Sequence, residues 1–401
     1  MCLKPKWIWY CCGTNRDALI SFELEKKRII VSDQSSKDLL KKGNFGYEKD
    51  KELMLYPEEA LYLLDVRNAE CTSSGKKITF SEMAQLFSNE KRLLTKFFAY
   101  KDWRDRGLTV KMPDFECIQA DKTSIKKYPS SSLQLSGHKA SGNFYPNDLL
   151  SIVEGEKEGK ALYENFWFGQ YGSYKAADRG ILNKLDIYET IFLIENKALK
   201  IKGFGRNDVM SFALNRRKYF AKLYSVYSDW RKKGYVIKTG FKFGTHFRIY
   251  FPGARPVNEG NTWVHSKHVL HIFPKEDKLI ISEWARAIRV AHSVRKTFIL
   301  AIPGRQSKKK MEIDYILYHR RGGEAENPKD NPPKYAMLAL NEENYIGGKE
   351  LASALEEAKS RRLELVVAIV DRETAVTYYK VRQIELHGSS NDYYEIDWMQ
   401  P

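Results

Sequence analysis

The feature that most constrains this chain is an internal repeat with an offset of 67 residues. Residues 267–302 align with residues 334–369 without a gap. Each copy has the pattern of a strand, a turn, an amphipathic helix and a second, apolar strand. In the first copy Ser282 suits the N-cap of a helix that places Trp284 and Ile288 on one face. We therefore expect an α/β fold with short mixed sheets flanked by helices.

A second repeat lies upstream, with an offset of 127 residues. YKDWRDRGLTVK at 100–111 matches YSDWRKKGYVIK at 227–238, and each reads as a helix end, a glycine and a strand. The segments before them share a Phe-Gly pair, a Leu-rich strand and a helix that carries Glu59 or Glu189. The second copy has seven extra residues between these landmarks. The amino-terminal part of the chain therefore resembles the first half of the complete central unit.

The repeats divide the chain into three units with two linkers. The first linker is rich in Ser, Gly and Lys, and the second is a Gly, Pro and charged loop. The predicted divisions are an amino-terminal unit at 1–115, a linker at 116–149, the two domains of the complete unit at 150–210 and 211–320, a linker at 321–333, and a carboxy-terminal unit at 334–401.

Composition indicates a folded protein with a polyanionic partner. Hydrophobic residues make up 43% of the chain, and no run of 18 apolar residues occurs that could span a membrane. The net charge of +16 suits a partner rich in phosphates, because each phosphate contact releases counterions. Charge alone does not distinguish RNA from DNA or from a membrane surface.

The cysteines and the amino terminus bear on location. Five cysteines fit neither a CxxC metal site nor a disulfide framework, and we expect reduced thiols: Cys2, Cys11, Cys12, Cys71 and Cys117. The first residues show a short apolar stretch with no small-residue cleavage pattern after it, so we expect a mature terminus. Together these features predict a cytoplasmic protein.

Three side chains stand where predicted strands begin or end in the complete unit. Tyr250 closes the strand FRIY, His265 precedes the strand HVLHI, and Lys296 precedes the strand TFILAI. Strand ends and adjoining loops are places where side chains from distant segments meet. Each residue also has a non-catalytic interpretation. Tyr250 would place its hydroxyl at the surface, His265 would be an ordinary loop residue, and Lys296 would be a solvated residue beside a strand.

A tyrosine, a histidine and a lysine without carboxylates suit the cleavage of RNA. The 2′-hydroxyl beside a scissile phosphate is a built-in nucleophile. A base removes its proton, an acid protonates the departing 5′-oxygen, and a cation stabilises the charged transition state. Histidine suits the acid because it titrates near neutrality. Tyrosine would need a nearby cation to lower its pKa from about 10, and Lys296 is the candidate.

These segments together resemble a known family. KFGTHFRIY, HSKHVLHIF and RVAHSVRKTFILAI resemble the catalytic carboxy-terminal domain of archaeal tRNA-splicing endonucleases, which are tRNA-intron lyases. GNFGYEKDKELMLYPEEALYLL resembles the family's amino-terminal domain, and the order of units resembles its three-unit single-chain type. The resemblance implies small α/β amino-terminal-type domains, a restriction-endonuclease-like catalytic domain at 211–320, and non-catalytic units at 1–115 and 334–401.

The resemblance also assigns roles to residues. It implies that Tyr250 is the general base, that His265 is the general acid and that Lys296 stabilises charge. The family holds a bulged base with two arginines, which match Arg289 and either Arg320 or Arg321. One departure concerns the loop before His265. His265 lies fifteen positions after Tyr250, more than the family pattern leads us to expect.

The repeat implies one active centre per chain. At the offset of 67, His265 corresponds to Pro332, Lys296 to Leu363, and Arg289 to Glu356. The carboxy-terminal unit thus keeps the apolar framework and lacks the acid, the cation and the arginine.

The family works as sets of four units, which implies a homodimer of this chain. Asp371 and Glu373 are the predicted dimer contacts, docking on a basic groove of the opposite catalytic unit; the alternative is a solvated turn. The basic hairpin at 303–312 has the opposite charge. The implied substrate is precursor tRNA with a bulge-helix-bulge, cleaved without a metal or another cofactor to 2′,3′-cyclic phosphate and 5′-hydroxyl ends.

Two other classes of protein remain as alternatives. A basic RNA-binding scaffold would carry the three side chains without using them. A DNA endonuclease of similar carboxy-terminal fold would need a carboxylate cluster near the strand ends, and the sequence shows no such spacing.

Overall fold

The computed structural model describes residues 19–120, 125–256, 263–304 and 312–401. The predicted fold class is confirmed: helices flank several mixed sheets, namely two small sheets near the two amino-terminal-type segments and one large sheet of eleven strands. Within the described ranges, no helix has the length and apolar character needed to cross a membrane. Cys2, Cys11, Cys12 and most of the basic hairpin at 303–312 lie outside the described residues.

The amino-terminal domain is a six-stranded sheet with helices packed on it. Its sheet order is β3-β4-β2-β1-β5-β6, and β7 leaves it to join the large sheet. The strands are β1 (Ser21–Glu25), β2 (Arg28–Val31), β3 (Tyr47–Lys49), β4 (Glu52–Leu55), β5 (Glu70–Ser73), β6 (Lys76–Ile78) and β7 (Val110–Lys111). The helices are α1 (Gln34–Lys42), α2 (Pro57–Val66), α3 (Phe80–Leu86) and α4 (Leu93–Asp105).

The second small domain repeats this plan with five strands in the order β11-β12-β10-β9-β13. Its strands are β9 (Ala140–Tyr145), β10 (Leu150–Val153), β11 (Gln170–Tyr171), β12 (Asn183–Asp186) and β13 (Leu199–Ile201). Its helices are α5 (Glu156–Phe166), α6 (Ile187–Glu195) and α7 (Arg206–Arg216). The strand at 140–145 comes from the segment that the sequence places in the first linker, and it lies inside this sheet.

The large sheet has the order β14-β15-β16-β18-β26-β25-β24-β22-β19-β7, with β8 (Lys126–Lys127) beside β25. Its first half holds β14 (Val236–Thr239), β15 (Phe247–Tyr250), β16 (His268–Ile272) and β18 (Thr297–Ile302). Its second half holds β19 (Tyr315–Leu317), β22 (Tyr335–Asn341), β24 (Glu364–Val370), β25 (Val376–Glu385) and β26 (Asp392–Met399). Around it lie α8 (Phe220–Lys232), a 3-10 turn at Phe241–Phe243, β17 (Lys278–Ile280), α9 (Ile281–Ser293), β20 (Arg320–Arg321), β21 (Glu324–Ala325), β23 (Tyr345–Gly347) and α10 (Gly348–Ser360).

The two halves of the large sheet are related by an approximate twofold axis between β26 and β25. Counted from either edge, the strands correspond in order. Strands β16, β17 and β18 and helix α9 correspond to β22, β23, β24 and α10 at the offset of 67 residues. Strands β17 and β23 pair antiparallel so that Leu279 faces its own counterpart, Ile346. At the middle of the large sheet, β25 pairs antiparallel with β26. The two copies therefore face each other as a dimer would, within one chain.

The half of the sheet that holds β25, β24, β22 and β19, called the structural half below, also includes β7 from the amino-terminal unit. Strand β19 pairs with β22 on one side and with β7 of the amino-terminal unit on the other. The Trp103 indole N–H donates to the Tyr318 carbonyl at 3.2 Å, and Arg92 forms an ion pair with Asp314 at 3.1 Å. The pairing thus groups residues 315–317 with the structural half, although the repeats place them at the end of the catalytic domain.

The first linker is ordered against the large sheet where the structure describes it. Lys126 Nζ donates to Glu395 Oε1 at 2.6 Å, and the Tyr128 hydroxyl donates to the same oxygen at 2.5 Å. Glu395 is 3% exposed, so these donors satisfy a buried carboxylate. Lys126, Lys127 and Lys139 are all exposed, and Lys126 in addition forms the ion pair with Glu395.

A buried glutamate and lysine join each small domain to the strand that follows it. In the central unit Lys238 Nζ donates to Glu189 Oε1 at 2.7 Å and to the Gly169 carbonyl at 2.9 Å. Glu189 also accepts the Gly169 N–H at 3.0 Å. Burial lowers the pKa of Lys238, and Glu189 opposes that effect. The pair fixes the small domain against β14.

The amino-terminal unit has a related arrangement, in which Glu59 and Lys111 each hydrogen bond to Gly46. Glu59 accepts the Gly46 N–H at 3.0 Å, and Lys111 Nζ donates to the Gly46 carbonyl at 3.4 Å. Burial raises the pKa of Glu59, and Lys111 opposes it. The matching glutamates seen in the sequence thus hold equivalent junctions.

Lys238→Met tests this junction. Removing one partner of a buried pair leaves the other charge without compensation, so we expect the free energy of unfolding to fall by about 3–5 kcal/mol. Chemical denaturation measures the change. The control is Lys202→Met, which removes an exposed lysine paired with Glu154 and should cost no more than about 1 kcal/mol. Equal losses for the two variants would contradict the assigned role.

Three histidines that pack against the sheet are held neutral. Burial lowers the pKa of His246 to about 3 and the pKa values of His268 and His271 to about 4. The Ile272 N–H donates to His246 Nδ1 at 3.1 Å, which requires an unprotonated nitrogen there. Unfolding releases all three to water, where histidine takes up a proton near pH 6.5.

Stability should therefore fall as the pH drops from about 6.5 towards about 4, because only the unfolded chain binds these protons. Each histidine contributes at most about 1.4 kcal/mol per pH unit in that range. His268→Phe removes one of the three titrating groups. The His268 ring packs against the rings of Tyr128 and Phe251, so an aromatic replacement keeps the same neighbours. We expect a shallower dependence of the unfolding free energy on pH in this variant. Parallel curves for the variant and the unmodified chain would contradict the prediction.

Candidate active site

The topology of the large sheet brings three strand ends to one edge. Strand β16 runs parallel to β18, with His268 opposite Thr297, so both strands begin at the same edge. Strand β15 runs antiparallel to β16 and ends there, with Ile249 opposite His268. The residues just beyond these points are Tyr250, His265 and Lys296.

These three residues line one cavity of about 870 Å³. The large sheet and its loops form part of its wall, and the small domain of the central unit contributes residues that include Trp167 and Lys184. The cavity thus lies where the two domains of this unit meet. The Lys238–Glu189 pair lies on the same wall, so the junction that holds the domains together also shapes the cavity.

Tyr250 is fixed in the wall of the cavity. It is 3% exposed, and its ring packs against Trp167 with centroids 4.6 Å apart. Burial raises the pKa of Tyr250, and the Arg248 guanidinium, 5.7 Å from the ring centroid, opposes it. The expectation that Lys296 would lower this pKa is therefore wrong on two points: the opposing cation is Arg248, and burial prevails.

Lys296 is half-buried at the start of β18. Its Nζ donates to the Ser266 carbonyl at 2.5 Å and lies 5.4 Å from the ring centroid of Phe243. Burial lowers its pKa first, and Arg248 and Lys267 add to the effect. Because Ser266 follows His265 directly, this bond ties the lysine to the segment that carries the histidine.

His265 stands exposed at the edge of the cavity, between half-buried Val264 and buried Ser266. The longer-than-expected loop before it includes residues 257–262, which lie outside the described residues. The imidazole of His265 is therefore accessible both to solvent and to a ligand in the cavity.

The sequence reasoning missed the cations that share the cavity with the three side chains. Arg248 and Lys267 line it together with Lys242. Strand alternation offered a signal for Arg248, because it lies two residues before Tyr250 and so on the same face of β15. A cavity with several basic side chains favours an anionic ligand.

The resemblance implies two arginines, Arg289 and either Arg320 or Arg321, and all three candidates lie elsewhere in this chain. Arg289 is on the exposed face of α9, and its positive charge opposes the rise that burial causes in the pKa of Tyr379. Arg320 Nη2 donates to the Arg106 carbonyl at 2.5 Å, and Arg321 Nε lies 3.4 Å from Glu326. None of these arginines lines the cavity. Within one chain they therefore lie apart from Tyr250, His265 and Lys296.

The structural half has the same backbone and different side chains. Arg295 and Arg362 both have left-handed backbones, with φ of 54° and 60°, at the ends of α9 and α10. The next residues, Lys296 and Leu363, donate their N–H groups back to Ala291 and Ala358, each at 2.9 Å. Leu363 is 4% exposed and belongs to the core. The same turn therefore presents a cation in one copy and a core side chain in the other.

The predicted dimer contacts lie on the turn between β24 and β25. Asp371 Oδ1 accepts the N–H groups of Glu373 and Ala375, each at 2.9 Å, so this carboxylate shapes the turn. Glu373 is exposed, and the neighbouring Arg372 is paired with Glu343.

Family models match two parts of the chain. The tRNA intron endonuclease catalytic C-terminal domain matches residues 220–315, which include the three cavity residues and the strands that carry them. The tRNA intron endonuclease N-terminal domain matches residues 20–84, which cover most of the six-stranded sheet.

Curated relatives agree with these matches. The tRNA-splicing endonuclease of Methanococcoides burtonii is 27% identical over 344 residues, which cover 70% of this chain and 95% of the relative. That of Methanopyrus kandleri is 31% identical over 166 residues, which cover 40% of this chain and 88% of the relative. That of Thermococcus kodakarensis is 32% identical over 145 residues, which cover 35% of this chain and 77% of the relative. With its fold, its cavity and these matches, the chain belongs to the tRNA intron endonuclease family.

Proposed function

We propose that this enzyme of the tRNA-splicing endonuclease family cleaves precursor tRNA at bulge-helix-bulge intron boundaries. The observation that carries the proposal is the convergence of Tyr250, His265 and Lys296 on one cavity within the segment matched by the catalytic domain. The basic side chains around them suit a phosphate substrate. The catalytic centre is assigned to residues 211–320, and the units at 1–115 and 334–401 are assigned a structural role.

In this proposal the RNA supplies its own nucleophile. Tyr250, once it has lost its phenolic proton to water, accepts the proton of the 2′-hydroxyl while the 2′-oxygen forms a bond to phosphorus. The bond from phosphorus to the 5′-oxygen breaks, and His265 donates a proton to that oxygen. The products are a 2′,3′-cyclic phosphate and a 5′-hydroxyl, and the step involves no change in oxidation state. Lys296 and Arg248 provide positive charge for the phosphorane-like transition state.

The raised pKa of Tyr250 has a consequence for this step. The neutral phenol is favoured in the free enzyme, so Tyr250 must lose its proton to water before it can accept the proton of the 2′-hydroxyl. The Arg248 guanidinium favours the resulting phenolate, and Arg248 and Lys296 together attract the phosphate. Preorganised charge in a cavity closed on one side is more effective than the same charge in water.

His265→Ala should lower the single-turnover cleavage rate of a bulge-helix-bulge RNA by about 10²–10⁴-fold, because it removes the general acid. A 2′-deoxy substitution at the cleavage site should abolish the reaction, because it removes the nucleophile. EDTA should leave the rate unchanged. Gel analysis of end-labelled RNA and of the 3′-phosphate ends gives all three readouts.

The control for this experiment is His387→Ala, which changes an exposed histidine that does not line the cavity. Its rate should equal that of the unmodified enzyme. A near-native rate for His265→Ala would remove this residue from the mechanism. Loss of cleavage in EDTA, restored by Mg²⁺, would count against 2′-hydroxyl attack without a metal.

We also propose that two chains form a homodimer through the acidic turn. Glu373 is exposed on that turn, and Asp371 holds the turn in shape. The acceptor is a basic groove of the opposite catalytic unit. In the dimer, Arg289 together with Arg320 or Arg321 is assigned to hold a bulged base, a role that suits arginines lying outside the cavity of their own chain.

Glu373→Lys should shift the protein from dimer to a monomer of 46.7 kDa, because it places a lysine against a basic groove. Size-exclusion chromatography with light scattering measures the mass. Glu373 is preferred to Asp371 for this test because the Asp371 carboxylate also supports the turn. Glu25→Lys, an exposed change in the amino-terminal domain, should leave the mass unchanged. A dimer that persists in Glu373→Lys would exclude the acidic turn as the contact.

A further inference from the structure

One side chain of the cavity has no part in the mechanism above. Phe241 lines the cavity and is 86% exposed, the highest value among the large hydrophobic side chains that the structure describes. An isolated exposed apolar residue is ordinary on a protein surface. This one stands at the mouth of the catalytic cavity, on the turn directly before the strand that ends in Tyr250.

The turn that carries Phe241 is held in one shape. A side chain at Gly240 would meet the Thr245 hydroxyl at 2.4 Å and the Thr245 carbonyl at 2.7 Å, and Gly244 has a φ of +64°. The Thr245 hydroxyl lies 3.4 Å from the Gly240 carbonyl and 3.2 Å from the Phe247 carbonyl. The Phe241 N–H donates to the Thr239 hydroxyl at 3.3 Å. The exposure of Phe241 is therefore built into the backbone.

The two phenylalanines of this turn have different surroundings. Phe243 packs against the hydrophobic core and lies 5.4 Å from Lys296 Nζ. Phe241, two residues earlier, projects into solvent. Phe243 contacts Lys296, and Phe241 precedes it by two residues on the same turn. The exposed ring of Phe241 therefore lines the cavity to which the scissile phosphate is assigned.

Basic and aromatic groups accompany Phe241. Lys242 Nζ lies 5.1 Å from the ring centroid of Tyr174, which is 55% exposed and lines the same cavity. Lys175 Nζ lies 5.8 Å from that ring. Exposed aromatic faces beside lysines are the combination that binds unpaired nucleotides, because bases stack on the rings and phosphates pair with the cations.

We propose that Phe241 is a stacking platform for the base of an unpaired nucleotide next to the scissile phosphate, and that Lys242 contacts the phosphate of that nucleotide. This inference rests on the proposed RNA substrate and deepens it. The platform selects for a base that is free to leave the helix, and therefore for a bulge over a continuous duplex. Tyr174 offers a second aromatic face at the same mouth.

The test measures binding separately from cleavage. A bulge-helix-bulge RNA with 2′-deoxy substitutions at both cleavage sites is titrated with the unmodified enzyme and with Phe241→Ala, Phe241→Trp and Tyr345→Ala. Tyr345 is 66% exposed on β23 and does not line the cavity, so it is the matched control. Phe241→Ala should weaken binding by about 5- to 150-fold, as loss of one stacked base does. Phe241→Trp and Tyr345→Ala should bind normally.

A second set of RNAs identifies the base. Abasic nucleotides are placed at each bulge position in turn. At the stacked position, the abasic RNA should weaken binding of the unmodified enzyme by a similar factor and have no further effect on Phe241→Ala. Normal binding by Phe241→Ala, or additive effects at every bulge position, would overturn the platform. Dissociation of Phe241→Ala into monomers would also overturn it, by assigning the residue to a protein contact.

The outcome is distinguishable from failure of the proposed function. If the unmodified enzyme cleaves the RNA, His265→Ala does not, and Phe241→Ala binds and cleaves normally, only the platform is wrong. If the unmodified enzyme binds the RNA through Phe241 and leaves an all-ribose substrate uncut, the platform stands and the catalytic proposal fails.

Discussion

The antiparallel pairing of the last two strands holds the two halves of this molecule together. Strand β26 lies between β18 and β25, and its pairing with β25 runs from Tyr378 opposite Met399 to Ile384 opposite Tyr393. Without β26, β18 would have a free edge, and the sheet that carries the cavity would end there. The position of Lys296 at the start of β18 therefore depends on residues about a hundred positions later in the chain. A strand edge left open in this way would also be a site for aggregation.

The structural half depends on equally distant contacts. Its outer strands come from the amino-terminal unit and from the segment after the catalytic domain, and Trp103 and Arg92 fasten them. The amino-terminal unit and the carboxy-terminal unit together form the counterpart of the central unit. In the chain, the central unit lies between them. Long-range pairing of this kind is slow to form, because loop closure must precede the contacts that stabilise it. The contacts of Lys238 with Glu189 and of Lys111 with Gly46 join segments that are closer in the chain.

The sequence was informative wherever a signal was local or repeated. The offset of 67 residues predicted two equivalent strand–helix–strand segments, and strand boundaries predicted where Tyr250, His265 and Lys296 would stand. It could not predict that β19 would pair with β7, because hydrophobic alternation records which face of a strand is buried and not which neighbour covers its edge. The pKa of Tyr250 was mispredicted for a related reason: the extent of burial by Trp167 comes from another domain. Phe241 was missed because an exposed aromatic has no periodic signature.

The shared turn at Arg295 and Arg362 cannot carry a second lysine without a cost in stability. Leu363 fills apolar space between α10 and β24, and Tyr318, which takes the place of Tyr250 in the strand pairing, is fully buried. A lysine returned to position 363 would bring an ammonium group into that space without a partner, at a cost of several kcal/mol. The stability of the scaffold and the recovery of chemistry there are therefore opposed. A cation at the turn before β24 would therefore require the core around position 363 to be repacked first, whereas the turn before β18 already carries one.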